Sequence, residues 1–431
     1  MRSLDRRTRF DHEIVSVEAP TFFAEVFPGL VERHGELAAR GARFLGVPSL
    51  TLLIDGRRYR LEAVGNRLTV SSREAGDGLR VRLDSGLFSD LAQQLRSFNA
   101  MTVARLIRPE GGSADDLFLW DAIWLCLLEG WPVVPDDFGL RDRQGKELDL
   151  HRHFRPDDDP LDVAHFLREA GYLHLRGWTD PAAMTEIAGD IDRALPHYAP
   201  NDGRSWWATT SDGMERCVRM QHFVEHSHAT AALLSGDRWQ QLRSTLAADD
   251  QLVQGPVKGN VIEALVKPLG VVKGISDVPW HRDCNFGRHA YQCAGTIVGV
   301  SVSSGDAGSG QLRVVAGSHR VLMPATRAND RPYLPVVPLP TEPGDLTVHL
   351  ACTLHEAQPP LQRERLVMYT GFGLRQRNTD TPDAGKSIAE LRERAHRLQS
   401  QPPSPVAARG VQQQAATRGS GIVLAQKLHG A

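Results

Sequence analysis

The chain has 431 residues, more than one ordinary domain, and is 41% hydrophobic and 24% charged with a net charge of −2. That near-neutral balance argues against a nucleic-acid groove or an anionic membrane surface as a partner, and no apolar run reaches the roughly 18 residues of a bilayer span. Five scattered cysteines (Cys126, Cys217, Cys284, Cys293, Cys352), with no CxxC, read as a reduced, cytoplasmic set and not as a disulfide frame. The charged opening M-R-S-L-D-R-R-T-R-F-D-H has no apolar stretch, so no secretory signal is expected.

Apolar positions at helical spacing over 20–41 (Phe22, Phe23, Val26, Phe27, Leu30, Val31) predict an amphipathic helix interrupted by Pro28. Asp55-Gly56 between two β-rich runs predicts a hairpin, Gly65-Asn66 a further turn, and 79–83 another strand. Helical periodicity returns over 86–98 and, very apolar, over 115–129, with Trp120 and Trp124 one turn apart. This order, with the run L-R-V-R-L-D-S-G-L-F-S-D-L-A-Q-Q-L followed by an apolar helix, is similar to a sterol-carrier-protein-type domain over about residues 20–133. That resemblance implies an apolar ligand; the plain alternative is a small accessory domain that packs on its neighbour.

Residues 133–160 hold several Pro, Asp and Gly residues and read as a linker. A helix stopped at Gly171 and a short strand over 172–175 open the second half. From 256 to 375 short apolar runs alternate with Gly and Pro turns, the pattern of a jelly roll. After Gln376 the chain is polar, with one possible helix over 387–398. The expected division is an N-terminal α+β domain (1–135), a linker (136–160), a jelly-roll domain with flanking helices (161–376) and a polar tail (377–431). The fold class is α+β.

In V-P-W-H-R-D-C, His281 and Asp283 are two residues apart, so on a strand both fall on one face. A third ligand must come from a partner strand. His355, in G-D-L-T-V-H-L-A-C-T-L-H-E-A, is preferred. His349 is the rival, although a histidine inside a strand is more often a packed core residue. Two imidazoles and one carboxylate leave metal positions open, the pattern of non-haem Fe(II) oxygenases. Arg365, ten residues beyond His355 at a strand start, suits bidentate capture of a carboxylate.

The ordered set of Trp280, the H-x-D, G-Q-L-R-V-V-A-G-S-H-R, Gly344-Asp345, His355 and Arg365 resembles the phytanoyl-CoA dioxygenase family of Fe(II)/2-oxoglutarate oxygenases. F-L-R-E-A-G-Y-L-H-L-R-G-W is similar to that family's opening, and the resemblance covers about 161–375. It implies a double-stranded β-helix core, Fe(II) held by His281, Asp283 and His355, and 2-oxoglutarate held by Arg365, with Arg363 as a fallback. Relatives often carry a hydroxyl residue two places after the distal histidine. Here that place is Ala357, so another group must substitute, and Thr296 and Lys267 are candidates. Halogenating relatives lose the carboxylate that Asp283 supplies, so hydroxylation or a related C–H oxidation of a small, lipophilic or natural-product substrate by O₂ is expected. His319, in A-G-S-H, reads as a turn-stabilising histidine.

Trp206 and Trp207, in a Gly- and Ser-rich stretch, are candidates for lining the substrate, and Arg216 and Arg219 for meeting an acidic group on it. His222 and His226 have i, i+4 spacing but no H-E-x-x-H, so a second metal site is not expected. Ser318 lacks a nucleophile elbow. The competing reading is a non-catalytic jelly-roll protein whose metal is lost or structural; a structural zinc site would want four protein ligands, and three converge here.

Overall fold

The computed structural model describes residues 15–73, 78–94, 96–134, 139–248, 262–274, 277–283, 295–330 and 332–372. The polar tail and its expected helix lie outside them, as do Cys284 and Cys293.

The first helical stretch begins as α1 (Ala19–Thr21), widens into a π turn over Phe22–Val26 and continues as α2 (Phe27–Leu45). Pro28 follows a π turn in which Phe27 N–H reaches back to Phe22 O, so the expected interruption is a wide turn and not a break. Asp55 and Gly56 both take positive φ (47° and 79°) and join β1 (Leu50–Ile54) to β2 (Arg57–Val64), and Gly65-Asn66 leads into β3 (Arg67–Ser71). The next strand, β4 (Leu79–Leu83), crosses back to pair with β1 in parallel, so the sheet order is β3-β2-β1-β4-β5, with β5 at Pro109–Glu110. One helix expected over 86–98 is two, α3 (Ser85–Ala92) and α4 (Phe98–Val103), separated where Gln94 takes a φ of 60°. Helix α5 (Ala114–Glu129) opens with a reciprocal Ser113–Asp116 capping box and ends at Gly130. Its buried Trp124 packs with Phe22 and Phe88 between sheet and helices.

Residues 139–159 fold onto the second region, where Leu140, Leu148 and Phe154 join its core. There follow α6 (Pro160–Ala170), β6 (Tyr172–Leu175), α7 (Pro181–Ala194), β7 (Ser205–Thr210), β8 (Glu215–Met220), α8 (His228–Ser235) and α9 (Asp237–Leu246). The β-rich part comprises β9 (Glu263–Lys267), β10 (Val271–Lys273), β11 (Val278–His281), β12 (Thr296–Ser301), β13 (Leu312–Val315), β14 (Val336–Leu339), β15 (Leu346–Leu350), β16 (His355–Ala357) and β17 (Arg365–Phe372), with α10 (Ala325–Asp330) before β14. An eight-stranded major sheet, β10-β7-β8-β9-β17-β12-β15-β6, and a four-stranded minor sheet, β11-β16-β13-β14, form the jelly roll. Helices α8 and α9 cover the outer face of the major sheet, where Met368 meets Thr230 and Phe372 packs on Trp239. β15 is buried at every position because both of its faces are covered.

The two regions meet along the segment that follows the A-G-S-H turn. Leu322 N–H donates to Pro132 O (2.8 Å), Tyr333 Oη donates to Val133 O (2.7 Å), and the Phe44 and Tyr333 rings meet edge to face. Among the described residues no helix is long and apolar enough to cross a membrane. The cysteine reading needs one correction. Cys126 and Cys217 are free and buried, but Cys352 is disulfide-bonded; spacing along a chain does not show which thiols the fold brings together.

Candidate metal centre

The minor sheet assembles the candidate ligands. β11 and β16 run antiparallel with His281 opposite His355, so the cross-strand pair brings together two imidazoles 74 positions apart in the chain (355 − 281). Their ring centroids are 4.1 Å apart. Asp283 lies just beyond the end of β11, and its Oδ1 is 3.4 Å from His281 Nε2 while its Oδ2 is 3.8 Å from His355 Nε2. One ligand atom from each of the three lies within 4.8 Å of the others, a set able to hold a metal ion.

Both imidazoles are oriented from behind. His281 Nδ1 is 2.8 Å from Pro279 O and His355 Nδ1 is 3.0 Å from Thr353 O, in each case the carbonyl two residues back. Donation from Nδ1–H fixes the tautomer that leaves Nε2 free as a metal donor. Burial, and then the neighbouring His349 and His281, push the His355 pKa well below the usual imidazole value, so it is neutral. Burial works against ionising Asp283, but the facing imidazoles of His355, His281 and His349 outweigh it and hold the carboxyl well below its usual range. An ionised carboxylate beside an unprotonated His355 suits a metal ion.

His349 projects from β15 toward the same point, with Nε2 3.5 Å from Asp283 Oδ2, yet it is not one of the mutually close donors. Between the first two ligands in sequence, Arg282 is 8% exposed, and its guanidinium donates to the carbonyls of Cys352 (2.8 Å), Met323 (2.7 Å), Ser318 (3.0 Å) and Val321 (3.2 Å). It ties β11 to the turn that the N-terminal region contacts. Arg282, Ser318, His319 and Met323 also line a cleft against Phe118 and Asp121 of α5; the three candidate ligands are not among its lining residues.

A second buried feature lies on the inner face of the major sheet. Arg365 opens β17 opposite Lys267 of β9, and the two are 1% and 2% exposed. Arg365 Nη1 donates to Gly310 O (2.9 Å), but its Nε has no partner. Lys267 Nζ donates to Gln358 O (2.7 Å), next to Ala357. Gly305 leaves room here, since a Cβ on it would come within 2.9 Å of Arg365 Nε. Among the described residues Arg365 has no carboxylate partner, and burying a cation in that state favours an anion from outside. Arg363 lies before β17, is exposed and pairs with Asp306.

Residues 167–361 match the family model of phytanoyl-CoA dioxygenase. The match includes His281, Asp283 and His355 and stops short of Arg365. Solved structures similar to the chain include AviO1 from Streptomyces viridochromogenes Tue57 (20% identity, 52% of this chain and 97% of that one, TM-score 0.40). Two others are the alpha ketoglutarate dependent epimerase SnoN from nogalamycin biosynthesis (22%, 50% and 80%, 0.39) and EctD from S. alaskensis with 2-oxoglutarate and 5-hydroxyectoine (16%, 59% and 92%, 0.40). No curated protein matches the chain.

Within the jelly roll the remaining candidates separate by strand parity. Arg365, Val367, Tyr369 and Gly371 share the inner face with Lys267, Ile297 and His349. Thr296 pairs with Leu350 and Phe372 on the helix side, so the structure does not bring it to Arg365. Trp206 stands opposite Arg219, in the row of Leu265 and Val367, and stacks on the Arg219 guanidinium at 4.1 Å. Trp207 follows a bulge and packs against the helix-side core. Arg216 pairs with Glu364 at the surface, and His226 stacks on His197. His319 donates from Nε2 to Arg168 O (2.8 Å), which ties its turn to α6. Tyr369 was missed in the sequence; Arg365's charge lowers its pKa and Asp283's raises it, though burial raises it most. Alternation from Arg365 was the signal for it.

Proposed function

We propose that the chain is an Fe(II)/2-oxoglutarate-dependent oxygenase that oxidises a C–H bond of a small organic substrate, by hydroxylation in the simplest case, using O₂ and releasing succinate and CO₂. The observation that carries this reading is a pairing: three converging donors on and just beyond the minor sheet, and on the major sheet a buried Arg365 that has no carboxylate partner among the described residues. Iron with bound 2-oxoglutarate supplies the oxidising chemistry. The chain's own work is to hold and orient. His281, Asp283 and His355 ligate, with each imidazole steered by a backbone carbonyl. Arg365 binds the distal carboxylate of 2-oxoglutarate, and Lys267, adjacent to Ala357, supplies the charge where relatives carry a hydroxyl. Trp206 offers an apolar wall on the inner face, and the Arg219–Glu263 ion pair beside it offers polar contacts. The substrate that suits this wall is a lipophilic compound or natural product with some polar groups. The first 135 residues would serve as its accessory domain.

The test is succinate release from 2-oxoglutarate by anaerobically purified protein after addition of Fe(II) and then air. Slow turnover without substrate is expected, with none in Asp283→Ala. A protein that binds neither Fe(II) nor 2-oxoglutarate would instead be a non-catalytic jelly-roll binder.

A further inference from the structure

His349 is 1% exposed, and neither of its ring nitrogens has a hydrogen-bond partner. A buried imidazole left in that state is costly, and such groups usually have a partner that arrives with a ligand or ion. The fold leaves it little choice of position. β15 pairs with β12 and β6 across Ile297 and Tyr172, which holds the side chain on the inner face. From there its ring centroid is 4.0 Å from that of His355, and Nε2 is 3.5 Å from Asp283 Oδ2. The other oxygen, Oδ1, faces His281 Nε2 at 3.4 Å. The two oxygens of Asp283 therefore have different neighbours. His349 also falls outside the set of donors within 4.8 Å of one another, which argues against a fourth ligand.

We propose that His349 is a positioning residue for the metal centre: its Nε2–H donates to Asp283 Oδ2 and leaves Oδ1 to meet the ion. The inference rests on the reading of His281, Asp283 and His355 as ligands. A carboxylate held this way binds through one oxygen, so a position that a bidentate carboxylate would occupy stays open for cosubstrate. Hydrogen bonds to ligating carboxylates are a general means of setting metal affinity.

The experiment uses Co(II) as the probe, titrated into the full chain and followed by its visible d–d absorption. The variants are His349→Leu, His349→Gln, Asp283→Ala and the His349→Leu/Asp283→Ala double variant. Expected are about 10–100-fold weaker binding in His349→Leu with an altered band shape, recovery of most of both in His349→Gln, whose amide reaches a similar distance, and less than about 3-fold further loss when His349→Leu is added to Asp283→Ala. An equal loss in both backgrounds would overturn the proposal, because His349 would then act independently of the carboxylate. Unchanged Co(II) affinity with a lowered melting temperature would overturn it too, leaving His349 a core residue. Wild-type protein that binds no Co(II) would remove the ligand reading itself, an outcome distinct from both.

Discussion

The two regions of the chain fill their interiors in opposite ways. Around the five-stranded sheet, the core is Phe22, Leu52, Phe88, Trp124 and similar side chains, and the buried polar residues are the neutral Thr51, Ser89, Gln93 and Gln94. In the jelly-roll region the chain buries Lys267, Arg282, Arg365, His281, His349, His355 and Glu356. Removing a charge from water costs several kcal/mol unless partners replace the solvent. The first region fills its interior mainly with apolar side chains, whereas the second tolerates a cost that stability does not explain. Where the cost is met by backbone carbonyls, as at Arg282, the residue is structural. Where it is not met, as at Arg365 Nε and His349, the residue is a candidate for function.

Perturbing each region should separate these roles. The largest effect is expected from Asp283→Ala or His355→Ala, which should reduce bound iron and succinate release to background with little change in unfolding. Trp124→Ala, in the apolar core, should do the reverse, costing about 3–5 kcal/mol in urea unfolding while any protein still folded binds iron normally. Next comes Arg365→Ala, expected to weaken 2-oxoglutarate binding about 100-fold through loss of charge-assisted hydrogen bonds. Arg363→Ala, which breaks a surface pair with Asp306, should change it less than about 3-fold. Both are read by titrating 2-oxoglutarate against the Fe(II) charge-transfer band; equal effects would put the anion site elsewhere. Arg282→Met should cost about 3 kcal/mol or more, since four carbonyls lose their donor, and Arg282→Lys should recover part of it.

The smallest effect, and the sharpest contrast, is with pH. Burial pushes Asp121 up to about 7, against backbone N–H bonds from Asn99 and Phe98. Its folded pKa exceeds the ordinary 3.8, so the stability linked to it is complete below pH 3.8 and lost as pH rises toward 7. Burial lowers His319 and His174 to about 4, below the ordinary 6.5. Their contribution is present above pH 6.5 and lost as pH falls toward 4. Hydrogen exchange corrected for intrinsic rates should show α5 relatively better protected at pH 5 than at 7.5, and α6 and β6 the reverse. Parallel trends would mean the regions unfold as one unit.

Much of this protein was legible in the sequence because it is local. The Asp55-Gly56 turn, the apolar helix expected over 115–129, the stop at Gly171 and the two-residue spacing of His281 and Asp283 each follow from backbone geometry within a few positions. Tertiary structure decided the rest, because strand pairing joins residues that sequence distance does not relate. It set His355 opposite His281, laid β4 parallel to β1, and turned Thr296 away from Arg365 by one step of alternation. It also left His349, which reads in sequence as an ordinary strand histidine, facing Asp283. Periodicity tells which residues share a face; only the packing of one sheet against the other tells what that face meets.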